Sequence, residues 1–195
     1  MVQSRVKSRP RPRDRLLDAA IAHVAAHGLH DLSLRELAAA IGTSHRMLIY
    51  HFGSKDGLLR AIVEAVEDQQ REFFARFVGD LSIPPVQAAL AFWRRVADPR
   101  LGNNVRLFFE VYGQALQGRL GTEGFLTRIV DDWVEPMTEY GVSRGVPRET
   151  ARADARLGVA VTRGLLLDLV ATGDQASVDE AYVRYLHLYE AAVRG

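Results

Sequence analysis

The sequence predicts an all-α protein, in which an N-terminal three-helix helix-turn-helix domain is joined by a linking helix to a larger C-terminal helical domain. Three observations lead to this prediction. Apolar residues recur at spacings of three and four along almost the whole chain from residue 13 onward. Glycine, proline and capping serine residues divide that pattern into helix-sized segments, and no stretch alternates as a strand does. Hydrophobic residues make up 48% of the 195, which is typical of a packed core and not of disorder.

The first two helices are bounded by local signals. A helix is predicted over residues 13–27, and Gly28 ends it. The second helix begins at Ser33, because Ser33 and Glu36 form an S-x-x-E capping box. Two further residues stand at hydrophobic-staple positions: Leu32 and Leu37.

A glycine turn leads to the third helix. Gly42 ends the second helix, and Ser44 caps a helix predicted over residues 45–51. Such a short helix is not stable alone, so packing of Leu48 and Phe52 must hold it. The other side chains include a cation, two imidazoles and an aromatic hydroxyl, which suit base reading and phosphate contact.

The same segment resembles the DNA-binding domain of the TetR family of bacterial transcription regulators. The matching residues are Gly42-Thr43-Ser44, Leu48-Ile49-Tyr50-His51-Phe52 and Gly53-Ser54-Lys55. Leu16 to Gly28 resembles the first helix of that family, so the similarity covers roughly residues 13–65. His45-Arg46-Met47 and Ile49 depart from the common pattern, which bears on the operator sequence and not on the domain. The alternative is a helical hairpin that only looks like a DNA reader.

The resemblance implies that the third helix enters the DNA major groove. His45, Arg46 and Tyr50 would then lie near bases, while His51 and Lys55 would contact phosphates. The candidate DNA-binding residues are Ser33, Thr43, Ser44, His45, Arg46, Met47, Ile49, Tyr50, His51 and Lys55.

Charge is divided unevenly along the chain. Residues 1–60 hold ten Lys/Arg against five Asp/Glu, a net of +5, whereas residues 61–195 hold fifteen against nineteen, a net of −4. Residues 1–12 alternate arginine or lysine with small residues and proline, which predicts a disordered basic arm. That arm either tracks DNA phosphates or is a solvated tail.

The remaining chain predicts a linking helix and five further helices. Ser54 starts a helix over 54–77 that connects the helix-turn-helix domain, residues 13–60, to the C-terminal domain, residues 61–195. The later helices are predicted at about 84–97, 103–117, 122–140, 148–172 and 178–193. Ser177 and Glu180 repeat the capping-box pattern at the last start.

The C-terminal half carries many aromatic residues. At helical spacing these are ordinary core, or they line a cavity. The resemblance implies a helical domain that encloses an effector pocket, and such pockets are mainly apolar. Pro136, inside a helical run, should kink that helix or open a local gap that could form a pocket wall. The candidate ligand-binding residues are Trp93, Phe109, Tyr112, Trp133, Met137 and Arg163.

The last two helices carry more apolar surface than one neighbour could cover. Small residues on the first of them permit close helix approach, and the resemblance implies a four-helix dimer interface. A two-fold dimer also suits DNA reading, because one short helix reads few bases. The alternative is a monomer with a wider core. The candidate interface residues are Val161, Gly164, Leu165, Tyr182, Tyr185 and Tyr189.

Several functional classes find no support. Nucleophile-elbow, phosphate-loop and dinucleotide motifs are absent, so no enzyme and no cofactor are expected. His23 and His27 lack the partners of a metal site, and cysteine is absent. No signal peptide or membrane span is predicted, so a cytoplasmic protein is expected.

The sequence therefore predicts a homodimeric transcription regulator that binds a palindromic operator in double-stranded DNA. It would act as a repressor that a small-molecule effector releases. Two alternatives remain: a helical sensor or carrier without operator binding, and a helical enzyme that uses the aromatic pocket.

Overall fold

The computed structural model describes residues 11–28, 33–78, 82–118 and 124–194. All regular structure in these ranges is helical, with nine α-helices and one short 3-10 helix at Pro99–Leu101. The α-helices are α1 (Pro12–His27), α2 (Leu34–Ala40), α3 (His45–Phe52), α4 (Lys55–Val78), α5 (Pro85–Val96), α6 (Gly102–Leu116), α7 (Phe125–Ser143), α8 (Arg148–Thr172) and α9 (Gln175–Arg194). The predicted all-α fold class is confirmed.

The start of α2 follows from a reciprocal pair of hydrogen bonds. The Ser33 backbone N–H donates to Glu36 Oε2 at 2.9 Å, and the Glu36 backbone N–H donates to Ser33 Oγ at 3.2 Å. This capping box is the one that the sequence predicts. These bonds stabilise the ionised carboxylate and lower the pKa of Glu36. Leu32 lies outside the described residues, so the hydrophobic staple stays a prediction.

The short helix α3 is held by its buried face, as its length requires. Leu48 is fully buried and Phe52 nearly so. The burial of a leucine side chain contributes about 2 kcal/mol. The guanidinium of Arg13, on α1, stands 5.0 Å from the centre of the Phe52 ring. Packing within the N-terminal domain therefore fixes the orientation of α3.

One apolar core crosses from the helix-turn-helix domain into the C-terminal half. It joins Leu48 of α3 and Ile62 of α4 to Leu107 and Val111 of α6. A polar contact reinforces this junction, because Asn103 Nδ2 at the start of α6 donates to the Ala25 carbonyl near the end of α1 at 2.8 Å. Both α4 and α6 therefore connect the two halves.

Two sequence expectations need correction. Pro12 opens α1 and Arg11 precedes it as the N-cap residue, so the predicted arm ends earlier, while residues 1–10 lie outside the described residues. Ser177 does not cap α9: the Asp174 carboxylate accepts hydrogen bonds from the Ser177 backbone N–H and hydroxyl, and α9 begins at Gln175. Pro136 lies inside α7, which continues on both sides of it, so the kink or local gap stays a prediction.

Candidate nucleic-acid interface and ligand cavity

The exposed face of α3 presents a mixed set of polar and apolar groups. His45, Arg46 and Met47 are exposed in its first turn, and Tyr50 is 78% exposed one turn later. Lys55, the first residue of α4, is also exposed. These side chains project away from the core that holds Leu48, so they are accessible to a binding partner.

Two of the predicted DNA-binding serines already have structural partners. Ser33 belongs to the capping box of α2, and Ser44 Oγ accepts the backbone N–H of Met47 at 3.2 Å. Thr43 and Ile49 are half-buried beside them. The serine hydroxyls therefore fix the helix starts, and DNA contact by these four residues stays a prediction.

The phosphate contact predicted for His51 is open to only one of its two ring nitrogens. Its ring packs edge-on against Tyr50, with 4.9 Å between ring centres, and Nε2 is buried without a hydrogen-bond partner. Nε2 cannot reach a phosphate in this conformation. A contact would have to use Nδ1.

The C-terminal half encloses a cavity of about 500 Å³ between α4, α5, α6, α7, α8 and α9. Its wall is mostly apolar, with an aromatic cluster formed by Phe74, Phe92 and Trp133. The ring centres of these residues lie 5.1 to 6.0 Å apart. Such a space fits a small organic molecule.

Three of the six predicted ligand-binding residues lie on this wall, namely Trp133, Met137 and Arg163. The other three do not. Trp93 instead packs in a separate cluster between α5 and α9, where it stacks on Tyr182 at 4.5 Å and donates to Asp179 Oδ1 at 2.6 Å. Trp93 is therefore a core residue, because its indole is already fully contacted and its N–H already has an acceptor.

Phe109 and Tyr112 also lie outside the wall. Both are half-buried on α6, and the α6 side chain that reaches the cavity beside them is Phe108. The Arg163 guanidinium stands 5.3 Å from the Phe108 ring centre and 5.8 Å from that of Tyr112. Tyr112 therefore contacts the Arg163 guanidinium without itself lining the cavity.

A charged cluster joins α4 to α7 and α8 at the edge of the cavity. Trp133 Nε1 donates to Glu67 Oε2 at 2.6 Å, and the Arg163 guanidinium lies 3.9 Å from the same oxygen. Arg163 also donates to the Ile129 carbonyl at 2.5 Å. Burial raises the pKa of Glu67 and lowers that of Arg163, because both charges are largely removed from water.

Sequence reasoning missed several polar residues of the wall. Glu67 and Gln70 interrupt the apolar stripe of α4 that contains Val66 and Phe74, and Asn104 does the same on α6. A polar residue on an otherwise apolar helix face was the available signal. On α8 and α9, Asp154 accepts the hydroxyl of Tyr189 at 3.1 Å.

The structure contradicts one of the three tyrosines predicted at the dimer interface, while the other two are half-buried and stay predictions. Tyr182 is buried in the core, while Tyr185 and Tyr189 line the cavity. Burial raises the pKa of Tyr182 to about 12. Leu165 also packs toward the interior, whereas Val161 is half-buried and Gly164 is exposed.

The outer faces of α8 and α9 carry a different apolar set. Leu157 and Leu167 of α8 are 51% and 50% exposed, and Leu188 of α9 is 55% exposed. Gly164 lies between the two α8 leucines on the same helical face, since residues 157, 160, 164 and 167 are three or four apart. No helix within the described residues is long and apolar enough to cross a membrane.

The N-terminal half thus has the layout of a helix-turn-helix domain with an exposed third helix, and the helical C-terminal half contains a cavity of ligand size. Residues 16–62 match the model of the bacterial regulatory proteins of the tetR family. A 57-residue stretch is 40% identical to the HTH-type transcriptional regulatory protein RaaS of Mycobacterium tuberculosis. That stretch is 29% of this chain and 26% of the relative, so the match spans about a quarter of the relative's length.

Solved structures match the chain over nearly its full length. The multidrug binding protein EbrR, complexed with imidazole, is 27% identical, with a TM-score of 0.57 over 90% of this chain and 95% of that one. A TetR-family transcriptional regulator from Pectobacterium atrosepticum shares the fold, with a TM-score of 0.68, 20% identity and 91% of each chain covered. Residues 16–62 thus form a DNA-binding domain of the tetR type, and the chain as a whole shares the fold of TetR-family regulators. The prediction that it is not an enzyme agrees with the regulatory names of these relatives.

Proposed function

We propose that this protein is a homodimeric transcriptional repressor that binds a palindromic DNA operator and is released from it by a small-molecule effector. The observation that carries the proposal is the path of α4. Only two residues separate the end of α3 from the start of this helix, which forms one wall of the cavity. A ligand in the cavity thus acts on the helix that supports the DNA-reading face.

The DNA contact is proposed for the exposed face of α3. Arg46 and Tyr50 reach base edges in the major groove, and Lys55 contacts a phosphate. The excess of basic residues in the N-terminal third, +5 over residues 1–60, favours a polyanionic partner.

The effector signal is proposed to pass along α4. Lys55 and Glu67 are twelve residues apart on this helix, which corresponds to about 18 Å at 1.5 Å per residue. Glu67 is bound from α7 through Trp133 and faces Arg163 of α8. A ligand that disturbs this cluster shifts α4, provided that it binds the shifted state more tightly than the DNA-bound state.

The dimer is proposed to form through the outer faces of α8 and α9. Leu157, Leu167 and Leu188 leave apolar surface exposed there, and Gly164 permits close approach of a second helix. A two-fold axis between the paired helices would present two α3 helices to half-sites about 34–36 Å apart.

Selection of bound fragments from the genome of the source organism tests the proposal. The expected result is a recovered inverted repeat whose binding weakens steeply with salt. Failure to retain any fragment at low salt would contradict operator binding and favour a sensor or carrier that acts without DNA.

A further inference from the structure

Arg13, in the first turn of α1, is held against the last residue of α3. Its guanidinium carbon lies 5.0 Å from the centre of the Phe52 ring. Phe52 belongs to the core of the N-terminal domain, whereas Arg13 is exposed. The guanidinium therefore covers the ring at the surface, at the end of the helix that carries Arg46 and Tyr50.

The position of Arg13 on α1 accounts for this contact. Arg13 stands three and seven residues before Leu16 and Ala20, so it shares the face of α1 that packs into the core. Arg15 lies about 200° further round the helix, on the outward face with Asp18. Both arginines are exposed, but only Arg13 points toward α3.

The ring contact leaves the hydrogen-bonding groups of Arg13 available. The face of an aromatic ring attracts a guanidinium without occupying its five N–H donors. Within the part of the chain that the structure describes, Arg13 makes no hydrogen bond and no ion pair. By contrast, Arg148 and Arg152 of α8 are paired with carboxylates at 2.6 and 2.5 Å. Arg13 is thus a positioned cation that no carboxylate in the described ranges neutralises.

The contact places Arg13 where a DNA backbone would pass. Because α3 has eight residues, it spans about 12 Å, which is roughly the width of the major groove. Cations at the end of a helix that occupies the groove therefore lie beside the phosphates at its edge. Lys55 is exposed three residues after Phe52, so two cations lie near this end of α3.

We propose that Arg13 contacts a backbone phosphate of the bound DNA, and that the Phe52 ring holds the guanidinium in position for this contact. A guanidinium suits the role because it donates two parallel hydrogen bonds to phosphate oxygens. The contact reads no base, but it fixes the orientation of α3 against the duplex. The inference rests on the proposed function only in taking DNA as the partner of α3.

The salt dependence of DNA binding tests the contact, because it counts the phosphates that a protein neutralises. The probes are a fluorescein-labelled duplex of scrambled sequence and the operator recovered by fragment selection. Fluorescence anisotropy measures the affinity of the full chain for each duplex from about 50 to about 200 mM KCl.

Arg13→Leu removes the cation and keeps an apolar side chain beside Phe52. We expect weaker binding and a slope of log affinity against log salt that falls by about 0.9 for each bound subunit, the value of one phosphate. Because the contact reads no base, the loss should be the same on both duplexes. Arg13→Lys keeps the charge and should recover most of the lost slope.

Arg15→Leu is the matched control, since it makes the same substitution on the outward face of α1. It should change the slope less than half as much as Arg13→Leu. Urea unfolding followed by circular dichroism shows that each variant is folded in the binding assay. A contact that only stabilises the fold predicts a lower urea midpoint in Arg13→Leu with the slope of the wild type.

Three results would overturn the inference: a wild-type slope in Arg13→Leu, an equal loss of slope in Arg15→Leu, or a loss in Arg13→Lys as large as that in Arg13→Leu. Each of them leaves DNA binding by the wild type in place and so rejects the phosphate contact alone. A wild type that binds neither duplex at the lowest salt would reject the proposed function, and the contact with it.

Discussion

The indole N–H of Trp133 donates a 2.6 Å hydrogen bond to the Glu67 carboxylate and so ties α7 to the linking helix α4. Glu67 is largely buried, and the Arg163 guanidinium lies 3.9 Å from the same carboxylate oxygen, while the charge of Arg71 also favours the ionised form. The indole is therefore the nearest group that stabilises the buried carboxylate.

Trp133→Phe should lower the free energy of unfolding by about 2 kcal/mol, because it leaves a buried carboxylate without its nearest donor. Urea denaturation followed by circular dichroism measures this change. Tyr140→Phe is the matched control: its hydroxyl is buried without a partner, so its removal should leave stability equal or higher. Equal losses in the two variants would contradict a specific role for the indole N–H.

The free energy of unfolding should depend on pH through the titration of Glu67. Burial raises the pKa of Glu67 above its usual 4.5, so the folded state binds a proton that the unfolded state has released. Between the unfolded pKa and the raised folded pKa, the free energy of unfolding therefore falls as pH rises. Glu67→Gln lacks this titration.

Unfolding free energies of the wild type and Glu67→Gln, measured in urea from pH 4.5 to 7.5, check the sign. The wild type should lose stability relative to the variant as pH rises, whatever the difference at the lowest pH. Subtracting the variant cancels the titration of all other groups that the two proteins share. A wild type that gains stability relative to Glu67→Gln over this range would refute the raised pKa.

The contact between Asn103 and the Ala25 carbonyl should stabilise the junction of the two halves. Asn103→Ala removes one hydrogen bond of 2.8 Å and leaves a partly buried carbonyl unpaired, so we expect a loss of about 1 kcal/mol in the free energy of unfolding. Amide hydrogen exchange at the end of α1 should increase in parallel. Gln114→Ala serves as the control, because its amide makes only a 3.4 Å contact with Glu110 on the same helix. Unchanged exchange in α1 would argue against this junction contact.

Local signals in the sequence were enough to predict the helix-turn-helix. The Ser33–Glu36 capping box and the Ser44 cap depend on residues within a few positions of one another, and the spacing of Leu48 and Phe52 marks the apolar face of α3. The last helix start shows the limit of such signals. Both Asp174 and Ser177 suit a cap, and the structure uses Asp174.

The cavity could not be predicted in the same way, because empty space depends on how distant helices pack. Trp93 and Trp133 are both indoles within predicted helices, yet packing of α5 on α9 buries Trp93 while Trp133 reaches the cavity. Spacing also shows that Tyr182, Tyr185 and Tyr189 share one helix face. It does not show whether that face points inward or outward.

Arg46 and Lys55 should contribute differently to DNA binding. Lys55→Ala should weaken binding to all sequences alike and reduce the salt slope by about 1, as loss of one phosphate contact does. Arg46→Ala should cost about 1–3 kcal/mol and relax preference at particular operator positions. Binding to the selected operator and to scrambled DNA across a salt series measures both effects.

Arg106→Ala, which removes an exposed charge from α6, controls for net charge. Equal losses on every sequence from Arg46→Ala would reject base contact by this residue.

The leucines on the outer faces of α8 and α9 should determine the oligomeric state. In a two-fold interface each substitution occurs twice, so Leu157→Glu with Leu188→Glu would place four carboxylates at the contact. Each unpaired buried charge opposes association, and we expect the double variant to be monomeric at concentrations where the wild type is a dimer. Sedimentation velocity measures this directly. Leu116→Glu is the matched control, since Leu116 is at least as exposed but belongs to α6 and not to the proposed interface helices. A dimer that survives both substitutions would place the subunit contact elsewhere, and a monomeric wild type would rule out the proposed dimer.

The same double variant should bind a single half-site more weakly than the wild type binds the full inverted repeat. In a dimer, binding of one recognition helix holds the other close to its own half-site and so raises the affinity.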